Sequence, residues 1–553
     1  MKTLEHKNKL VDFFPENSKP RKQQVEALSK IDKCFSTGKK IVIGCLPTGS
    51  GKSHIGLTVG NSASYMDDSL KGLINSYAIY KKNKNNEYLY ESNFLNAASS
   101  GSFILTITKS LQDQYKGLFP YIPTIKGKNN YQCEVDCNFS TENAPCLFSP
   151  KLKQECFDND RCPYYRARNE SLSSHCPILN YRVFFNLPTF LKKREIYICD
   201  EANGLEDELV SKCSLNLQYI SLYSENIKFK KLLTDDQKTS LFWLQDIYLQ
   251  IEKELDAVKD QLSNMPNGST DKLYFKSMQR MSKLNRLFNS LKETIDNWEK
   301  CSFLTEKRDS EGVIFCPYDV KPIAKEMFDG ADKILMMSAT ISNHKEYAKS
   351  LGINDYEYFE MESSFDPKKS PILCSRKYRL SYKNMEENLP HVLDAAVAIC
   401  DKHKNDKGLV HTHTNQIADK LKIKIKEHKR FLFKDLVTNN EKLLDDHKNT
   451  TEPTVLVSPS LDTGISLDGD LGRFQIILKS PFLPLGSKRI KMMFDKNPKQ
   501  YTMKMLDKLI QMCGRCTRSK DDYSMTYILD GIIADTIMRE KSNLPKHFLD
   551  RIV

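Results

Sequence analysis

The chain has 553 residues, too many for a single hydrophobic core, and its length indicates two large domains with insertions. Hydrophobic residues make up 40% and charged residues 28%, a balance that excludes a disordered or a fibrous chain. The formal charge of +12 is compatible with a polyanionic partner but does not by itself identify one.

The N-terminal residues 1–20 lack the apolar core and the cleavage site of a signal peptide. No apolar run approaches the length of a membrane span. We therefore expect a cytoplasmic protein, or a nuclear one in a eukaryote, that is not secreted and has no membrane partner. In such a compartment the 16 cysteines stay reduced.

Short apolar segments, separated by helical patterns, run along the chain and predict the strands of parallel sheets covered on both faces. Four of them lie in the first part and four in the last part. They are residues 40–47, 102–110, 194–202, 333–340, 407–415, 453–460, 474–482 and 525–531. The pattern predicts an α/β protein with two parallel-sheet domains.

The segment GCLPTGSGKS, residues 44–53, follows the first predicted strand and is typical of a phosphate-binding loop. Gly49 and Gly51 let backbone N–H groups turn inward around phosphate oxygens. Lys52 is expected to reach the β- and γ-phosphates, and the Ser53 hydroxyl to coordinate Mg²⁺. The strict pattern has glycine where this chain has Leu46. The predicted nucleotide-binding residues are Pro47, Thr48, Gly49, Ser50, Gly51, Lys52 and Ser53.

The cysteine-rich segment, residues 131–165, contains five of the thiols. In a reducing compartment this density favours a metal site over disulfides. Structural zinc usually uses close cysteine pairs, whereas the gaps here are three, eight, nine and five residues, so the spacing leaves zinc and iron–sulfur both open. The cysteines are Cys133, Cys137, Cys146, Cys156 and Cys162.

The segment IYICDEAN, residues 196–203, ends a predicted strand with two carboxylates. Ligands of open α/β sheets bind at the carboxyl ends of strands. We expect Asp200 to hold Mg²⁺ and Glu201 to orient or activate the attacking water.

Apolar residues at steps of three and four between about 215 and 300 predict long amphipathic helices, broken near residues 265–270. A simple packing insert would give the same pattern. Further along, Gln511, Arg515 and Arg518 are spaced so that a continuous helix would present all three on one face. Arginines supplied by a second domain can stabilise charge on a transferred phosphoryl group.

Taken in order, these segments resemble the XPD/DinG family of superfamily 2 iron–sulfur DNA helicases. The segment RKQQ, residues 21–24, resembles the family's N-terminal element and implies that Gln24 contacts the adenine. Residues 105–114, 336–341, 363–367 and 408–415 resemble further helicase motifs. Residues 457–482 resemble motif V, which places Gly464 at the nucleotide. The resemblance covers nearly the whole chain.

The chain departs from the family pattern at three positions. Asn203 replaces the histidine of the family's D-E-A-H motif, and an asparagine can still form hydrogen bonds. Thr463 and Ser466 replace the acidic residues that normally flank Gly464. At Asn203 we expect altered coupling rather than loss of hydrolysis, whereas Thr463 and Ser466 leave open which group of motif V senses the nucleotide or the strand.

The resemblance also implies a four-cysteine 4Fe-4S cluster between motif Ia and the D-E-A segment. The family frame matches KGKNNYQC at its start and CPYY at its end. It selects Cys133, Cys146, Cys156 and Cys162 as ligands, and it leaves Cys137 as a spare and Cys176 as an ordinary buried residue.

The implied architecture is two RecA-like motor domains with an iron–sulfur insert and a helical Arch-like insert in the first. The expected division gives 1–114, 183–214 and 303–345 to motor domain 1, 115–182 to the cluster, 215–302 to the Arch-like insert, and 346–553 to motor domain 2. The resemblance implies a monomeric, ATP- and Mg²⁺-dependent helicase that moves 5′→3′ on single-stranded or forked DNA. Two other hypotheses are a nucleotide-switched DNA-binding or remodelling protein without unwinding, and an RNA motor.

Overall fold

Strands and helices alternate along the described chain, as the sequence predicts. The structure is a computed structural model that describes residues 9–66, 71, 99–147, 150–263, 272–425, 428–434, 440–459, 467, 469–517 and 522–553. Within those ranges, no helix combines the length and the apolar character that crossing a membrane requires.

Each of the eight segments predicted as strands is a strand in the structure. The strands are β1 (Ile41–Cys45), β2 (Ser102–Thr106), β3 (Thr124–Ile125), β4 (Ile178–Asn180), β5 (Arg194–Asp200), β6 (Leu215–Gln218), β7 (Phe303–Arg308), β8 (Gly312–Pro317), β9 (Ala331–Ser338), β10 (Glu357–Glu360), β11 (Ile372–Tyr378), β12 (Gly408–His411), β13 (Phe431–Phe433), β14 (Val455–Ser458), β15 (Phe474–Ile477) and β16 (Met525–Asp530).

Helices cover the faces of these sheets and form most of the insertions. They are α1 (Lys22–Ser36), α2 (Lys52–Asn61), α3 (Lys109–Leu118), α4 (Pro150–Asp158), α5 (Pro163–Ser173), α6 (Tyr181–Phe185), α7 (Thr189–Lys192), α8 (Leu205–Cys213), α9 (Tyr219–Tyr223), α10 (Gln237–Ser263), α11 (Lys272–Asp296), α12 (Lys321–Asp329), α13 (His344–Ser350), α14 (Met385–Lys402), α15 (Asn415–Lys424), α16 (Asn440–Asn449), α17 (Lys488–Lys496), α18 (Pro498–Cys513), α19 (Gly531–Arg539) and α20 (Lys546–Leu549).

The first domain is built on a parallel sheet in which, among the described residues, seven strands follow the order β10-β1-β9-β5-β2-β4-β3. Successive residues of β5 face opposite sides: Tyr197 and Cys199 belong to one apolar cluster, and Ile196 and Ile198 to the other. The sheet is therefore buried on both faces, which explains its continuous apolar strands. Since β1 and β5 are parallel to β9, which lies between them, their carboxyl ends meet at one edge.

The second domain contains another parallel sheet, in which six described strands follow the order β11-β16-β15-β12-β14-β13. Helix α14 packs its apolar face on this sheet through Leu389, Val392 and Leu393. Helix α18 lies in a second apolar cluster, with Leu506 and Leu509 fully buried. The predicted α/β class with two parallel-sheet domains is confirmed.

The helical insert differs from its predicted bounds. The predicted long helices are present as α10 and α11, which pair lengthwise, and the expected break at residues 265–270 lies outside the described residues. The predicted end at residue 302 is too early, because β7 and β8 pair with β6 in an antiparallel sheet beneath these helices. Trp298 stacks on Phe303 within their shared core, so residues 303–317 pack with the insert.

Two other predicted boundaries also differ from the structure. The first domain was expected to end at residue 345, but β10 pairs in parallel with β1, so that sheet extends to residue 360. The connection to the second domain is therefore residues 361–371. The cysteine-rich insert was expected to fill residues 115–182, yet β3 and β4 at its two ends join the first sheet.

Candidate functional site: a nucleotide cleft and a cysteine cluster

The predicted phosphate-binding loop joins the end of β1 to the start of α2. Gly49 and Gly51 have φ angles of 75° and 80°, in the left-handed region that favours glycine. Helix α2 begins at Lys52, directly after this turn. The loop therefore directs the first backbone N–H groups of α2 at a common point, an arrangement suited to phosphate.

Gln24, predicted to contact adenine, lies against the loop. Its Nε2 donates to the carbonyl oxygens of Ser50 and Gly51, at 3.2 and 3.4 Å. A Cβ at Gly51 would lie 2.3 Å from that nitrogen, so this approach also needs glycine. Arg21 adds a hydrogen bond from its Nη1 to the Gly49 carbonyl at 3.0 Å. The N-terminal helix thus supports the outer side of the loop.

Lys52 and the two carboxylates at the end of β5 come together as predicted. The Lys52 Nζ lies 2.8 Å from Glu201 Oε1. Burial, followed by the Glu201 charge, raises the pKa of Asp200 to about 6. Burial acts to raise the pKa of Glu201, but Lys52 and Arg515 outweigh it and leave that pKa below its ordinary value. Glu201 also has a φ of 49°, a conformation that non-glycine residues adopt at some cost.

Tyr115 links the two predicted magnesium ligands, and sequence reasoning missed it. Its hydroxyl donates to Asp200 Oδ2 at 3.0 Å, and it also interacts with the Ser53 hydroxyl. Tyr115 is fully buried on α3, one residue beyond the segment 105–114 that resembles a helicase motif. No local sequence signal marks it, because its role depends on the packing of α3 against α2.

Asn203, at the position of the family's histidine, contacts the end of β9. The Ser338 hydroxyl donates to Asn203 Oδ1 at 2.8 Å and lies 3.4 Å from Glu201 Oε2. Ser338 belongs to residues 336–341, one of the segments that resemble helicase motifs. The asparagine therefore keeps a direct hydrogen bond between two motifs of the first domain.

The second domain contributes the opposite wall of the cleft through the end of α18. Gly514 lies next to the phosphate-binding loop, where a Cβ on it would be 3.3 Å from Thr48 Oγ1. Arg515 is close enough to Glu201 for its charge to lower the pKa of that carboxyl. Gln511 is partly buried in the last turn of α18.

The predicted single helical face for Gln511, Arg515 and Arg518 is wrong. Helix α18 ends at Cys513, and the Gly514 N–H bonds to the carbonyls of the last turn. Glycine is a poor helix former, so the chain turns there and carries Arg515 out of the helix. Arg518 lies outside the described residues, as do Thr463, Gly464 and Ser466 of the motif V segment.

A cavity of about 390 Å³ lies beside the loop, between the two domains. Its walls include Pro47 and Thr48 from the loop, Phe365 from the connecting segment, and Gly514 and His547 from the second domain. The cleft between the domains is therefore open next to the predicted phosphate position.

The cysteine-rich insert brings the four predicted ligands together. Cys133, Cys146 and Cys156 share a small buried cluster with Ala144. Burial, followed by the neighbouring Cys156, Cys162 and Cys133, raises the pKa of Cys146 to about 12. Cys137 is exposed and is not part of this cluster. Cys176 is buried elsewhere, beside Gly60 in the first domain.

The donor set of the cysteine-rich insert consists of thiols alone. No group of three or more His, Cys, Asp or Glu side chains in the described ranges is arranged to hold one metal ion. Four thiols are the ligands that a 4Fe-4S cluster requires, and three of these four cysteines share one buried cluster. The four residues therefore fit the group that the resemblance implies.

Together, the two parallel-sheet domains, the loop at the end of β1 and the paired carboxylates at the end of β5 define a two-domain nucleotide-dependent motor. The Helicase C-terminal domain model matches residues 398–548, within the second of these domains.

Known proteins with a similar sequence or fold agree with this class. A protein named as a probable ATP-dependent helicase of Methanocaldococcus jannaschii is 22% identical over 99% of this chain and 97% of its own length. An XPD helicase structure aligns with a TM-score of 0.62 at 15% identity, over 97% of this chain and 99% of that one. Xpd4 of S. tokodaii aligns with a TM-score of 0.52 at 13% identity, over 96% and 99%. The chain therefore contains a helicase C-terminal domain, shares the fold of the XPD helicases with its two RecA-like domains, and is an ATP-hydrolysing helicase enzyme.

Proposed function

We propose that this helicase translocates on single-stranded DNA in the 5′→3′ direction and unwinds duplex or forked DNA. The observation that carries the proposal is the cleft itself, where Lys52, Asp200 and Glu201 of the first domain face Arg515 of the second. A nucleotide held between two such walls would draw the domains together, and its hydrolysis would release them. The chain's resemblance to DNA helicases and its formal charge of +12 support a DNA strand as the polymer.

The cleft residues divide the hydrolysis among themselves. Lys52 neutralises charge on the β- and γ-phosphates, while Ser53 and Asp200 hold Mg²⁺. Glu201 orients the attacking water, because its ionised carboxylate can accept a proton from it. Tyr115 keeps the two magnesium ligands in register through its hydroxyl.

The second domain completes the nucleotide site in this proposal. Arg515 and Arg518 stabilise charge on the transferred phosphoryl group, and Gln511 contacts the same region. Gln24 and Gly464 contact the nucleotide from the N-terminal helix and from motif V. A site divided in this way is complete only when the cleft is closed, which couples chemistry to domain movement.

The cysteine-rich insert is proposed to hold a 4Fe-4S cluster through Cys133, Cys146, Cys156 and Cys162. When bound, the cluster would crosslink a small domain that has little apolar core of its own. The apolar cluster here comprises three cysteines and Ala144, with Leu152 packed against it. A rigid insert at this position, together with the Arch-like helices α10 and α11, would border a path for one DNA strand.

Steady-state ATPase measurements with and without single-stranded DNA test this proposal. We expect DNA to stimulate hydrolysis, and Lys52→Ala to reduce it by at least about 100-fold, because a cation on the phosphates is lost. Lys39→Ala is the matched control, since Lys39 pairs with Asp355 on the surface of the same domain. Hydrolysis that ignores DNA, or that survives Lys52→Ala, would contradict the proposal.

Strand-separation assays distinguish the remaining functions. Forked duplexes with a 5′ or a 3′ tail report the direction, and we expect only the 5′ tail to support unwinding. DNA-stimulated ATPase without strand separation would favour a remodelling protein. Preferential stimulation by RNA, in competition with DNA at a fixed salt concentration, would favour an RNA motor.

A further inference from the structure

A buried charge cluster joins the first domain to the second, away from the nucleotide. Glu206 lies in the first turn of α8 and accepts a hydrogen bond from Arg489 of α17. Its other carboxylate oxygen is 3.1 Å from Lys504 Nζ and accepts from Gln500 Nε2 at 3.2 Å, both on α18. Asp207 adds an exposed partner, 2.9 Å from Lys504. We call Glu206, Arg489 and Lys504 the interdomain charge cluster.

Removing one member of the interdomain charge cluster would leave a buried charge without its partner. Glu206 and Arg489 are each only 5% exposed. Burial acts to raise the pKa of Glu206, but Lys504 and Arg489 reverse that effect and lower it to about 2. A buried charge that loses its partner destabilises the arrangement strongly, so these three residues favour one relative placement of the two domains.

Helix α18 connects the interdomain charge cluster to the nucleotide cleft. Lys504 lies in its first half, and Gln511 lies two turns further along, about 10 Å at the rise of an α-helix. The helix ends at Cys513, and Arg515 follows within two residues. The position of Lys504 therefore limits where Arg515 can lie.

On the first domain, one short segment contains both Glu201 and Glu206. Glu206 follows Glu201 by a single 3₁₀ turn, Ala202–Gly204. One end of this short segment faces Arg515 and the other binds Lys504. Lys504 on α18 and Arg515 just beyond its end thus both contact this one short segment, which limits how far the two walls of the cleft can separate at this point.

Resting on the helicase function proposed above, we propose that Glu206, Arg489 and Lys504 are positioning residues for ATP hydrolysis. None of the three belongs to the predicted nucleotide-binding residues. They set the distance between Arg515 and Glu201, so they act on the hydrolytic step rather than on nucleotide binding, which depends mainly on the loop of the first domain.

Kinetics of a small set of variants test this inference. We expect Glu206→Gln to lower the kcat for ATP by about tenfold or more while the KM changes by less than about threefold, the split expected for an interaction acting in the transition state. Lys504→Met should do the same, and Lys504→Arg, which keeps the charge, should restore most of the kcat. The matched control is Lys212→Gln, which removes an ion pair between the same helix α8 and Glu293 of α11.

Several outcomes would overturn the inference. They are an unchanged kcat in Glu206→Gln, a loss that appears mainly in KM, an equal loss in Lys212→Gln, or no recovery in Lys504→Arg. Melting temperatures measured in parallel distinguish a misplaced Arg515 from an unfolded protein. If the variant regains the wild-type kcat at temperatures where it is fully folded, the loss came from unfolding and the inference is wrong. A wild-type chain without ATPase would instead defeat the proposed function, so the two failures are distinguishable.

Discussion

The Lys52 ammonium lies 2.8 Å from a carboxylate oxygen of Glu201, so the predicted phosphate-binding lysine and the predicted water-orienting carboxylate form a direct ion pair. Both side chains are largely buried, with exposed fractions of 13% and 23%. Each side chain therefore neutralises the charge of the other. When ATP binds, Lys52 has to exchange Glu201 for phosphate oxygens, and Glu201 has to exchange Lys52 for the attacking water. The ion pair therefore competes with nucleotide binding.

Replacing Glu201 with glutamine separates binding from hydrolysis. We expect Glu201→Gln to slow hydrolysis by about 10² to 10⁴-fold, the usual contribution of a general base. Nucleotide affinity should stay the same or increase, because Lys52 loses its charged competitor. Equilibrium binding of a fluorescent ATP analogue, alongside steady-state ATPase, checks both. Affinity that falls as far as in Lys52→Ala would show that Glu201 supports binding instead.

Asn203 is expected to affect coupling more than chemistry. Asn203→Ala removes the acceptor of the Ser338 hydroxyl, a hydrogen bond worth about 1 kcal/mol or about fivefold. We expect DNA stimulation of the ATPase to fall by about that factor, with DNA-independent hydrolysis largely kept. Asn203→His, which retains an acceptor, is the matched comparison. Loss of all hydrolysis in Asn203→Ala would assign the residue to catalysis itself.

Serine substitutions identify the cysteines that hold iron. We expect anaerobically purified wild-type protein to be brown and to contain iron. Single Cys→Ser changes at positions 133, 146, 156 and 162 should remove most of that iron, because serine is a poor ligand for the cluster. Cys137→Ser is the control and should keep the iron, since Cys137 is exposed. Zinc in place of iron, or loss in Cys137→Ser, would contradict the assignment.

Asp507 is expected to make stability depend on pH. Burial raises the pKa of this α18 carboxyl to about 7, although it accepts hydrogen bonds from the N–H and hydroxyl of Ser342 across the domain interface. The folded protein then keeps a proton that the unfolded chain has released. The Asp507 contribution to stability therefore falls as the pH rises from about 4 to about 7.

Melting temperatures at pH 5 and pH 8 measure this effect. Relative to wild type, Asp507→Asn should be more favourable at pH 8 than at pH 5, because the amide does not ionise. Asp495→Asn, at an exposed position of α17, should show no such difference. An identical pH response in the two variants would mean that Asp507 titrates in the ordinary acidic range.

Local patterns were sufficient for much of the fold and for the first half of the site. The strands are short apolar runs, and the loop before Lys52 contains glycines at the two positions where the backbone is left-handed. Asp200 and Glu201 could be predicted because they end such a strand. The four cysteines could be selected from five through a family frame, and the exposure of Cys137 agrees with that choice.

Features that depend on distant parts of the chain could not be predicted in the same way. Glu206 and Arg489 are 283 positions apart, and nothing near either residue predicts the other. Residues 303–317 were assigned to the first domain, and nothing in their local sequence predicts that they pair with β6 beneath the helical insert. The end of α18 was misplaced because helical spacing was followed through Gly514, where the backbone leaves the helix.

The parallel pairing of β10 with β1 has a consequence for the second half of the nucleotide site. The connection of residues 361–371 begins beside the strand that leads into the phosphate-binding loop, and even fully extended it reaches only about 40 Å. The connection thus keeps Arg515 at a high effective concentration near Glu201, in the open as well as in the closed cleft. The short connection limits how far the cleft can open, so the second domain stays close enough to contact each ATP that binds to the first.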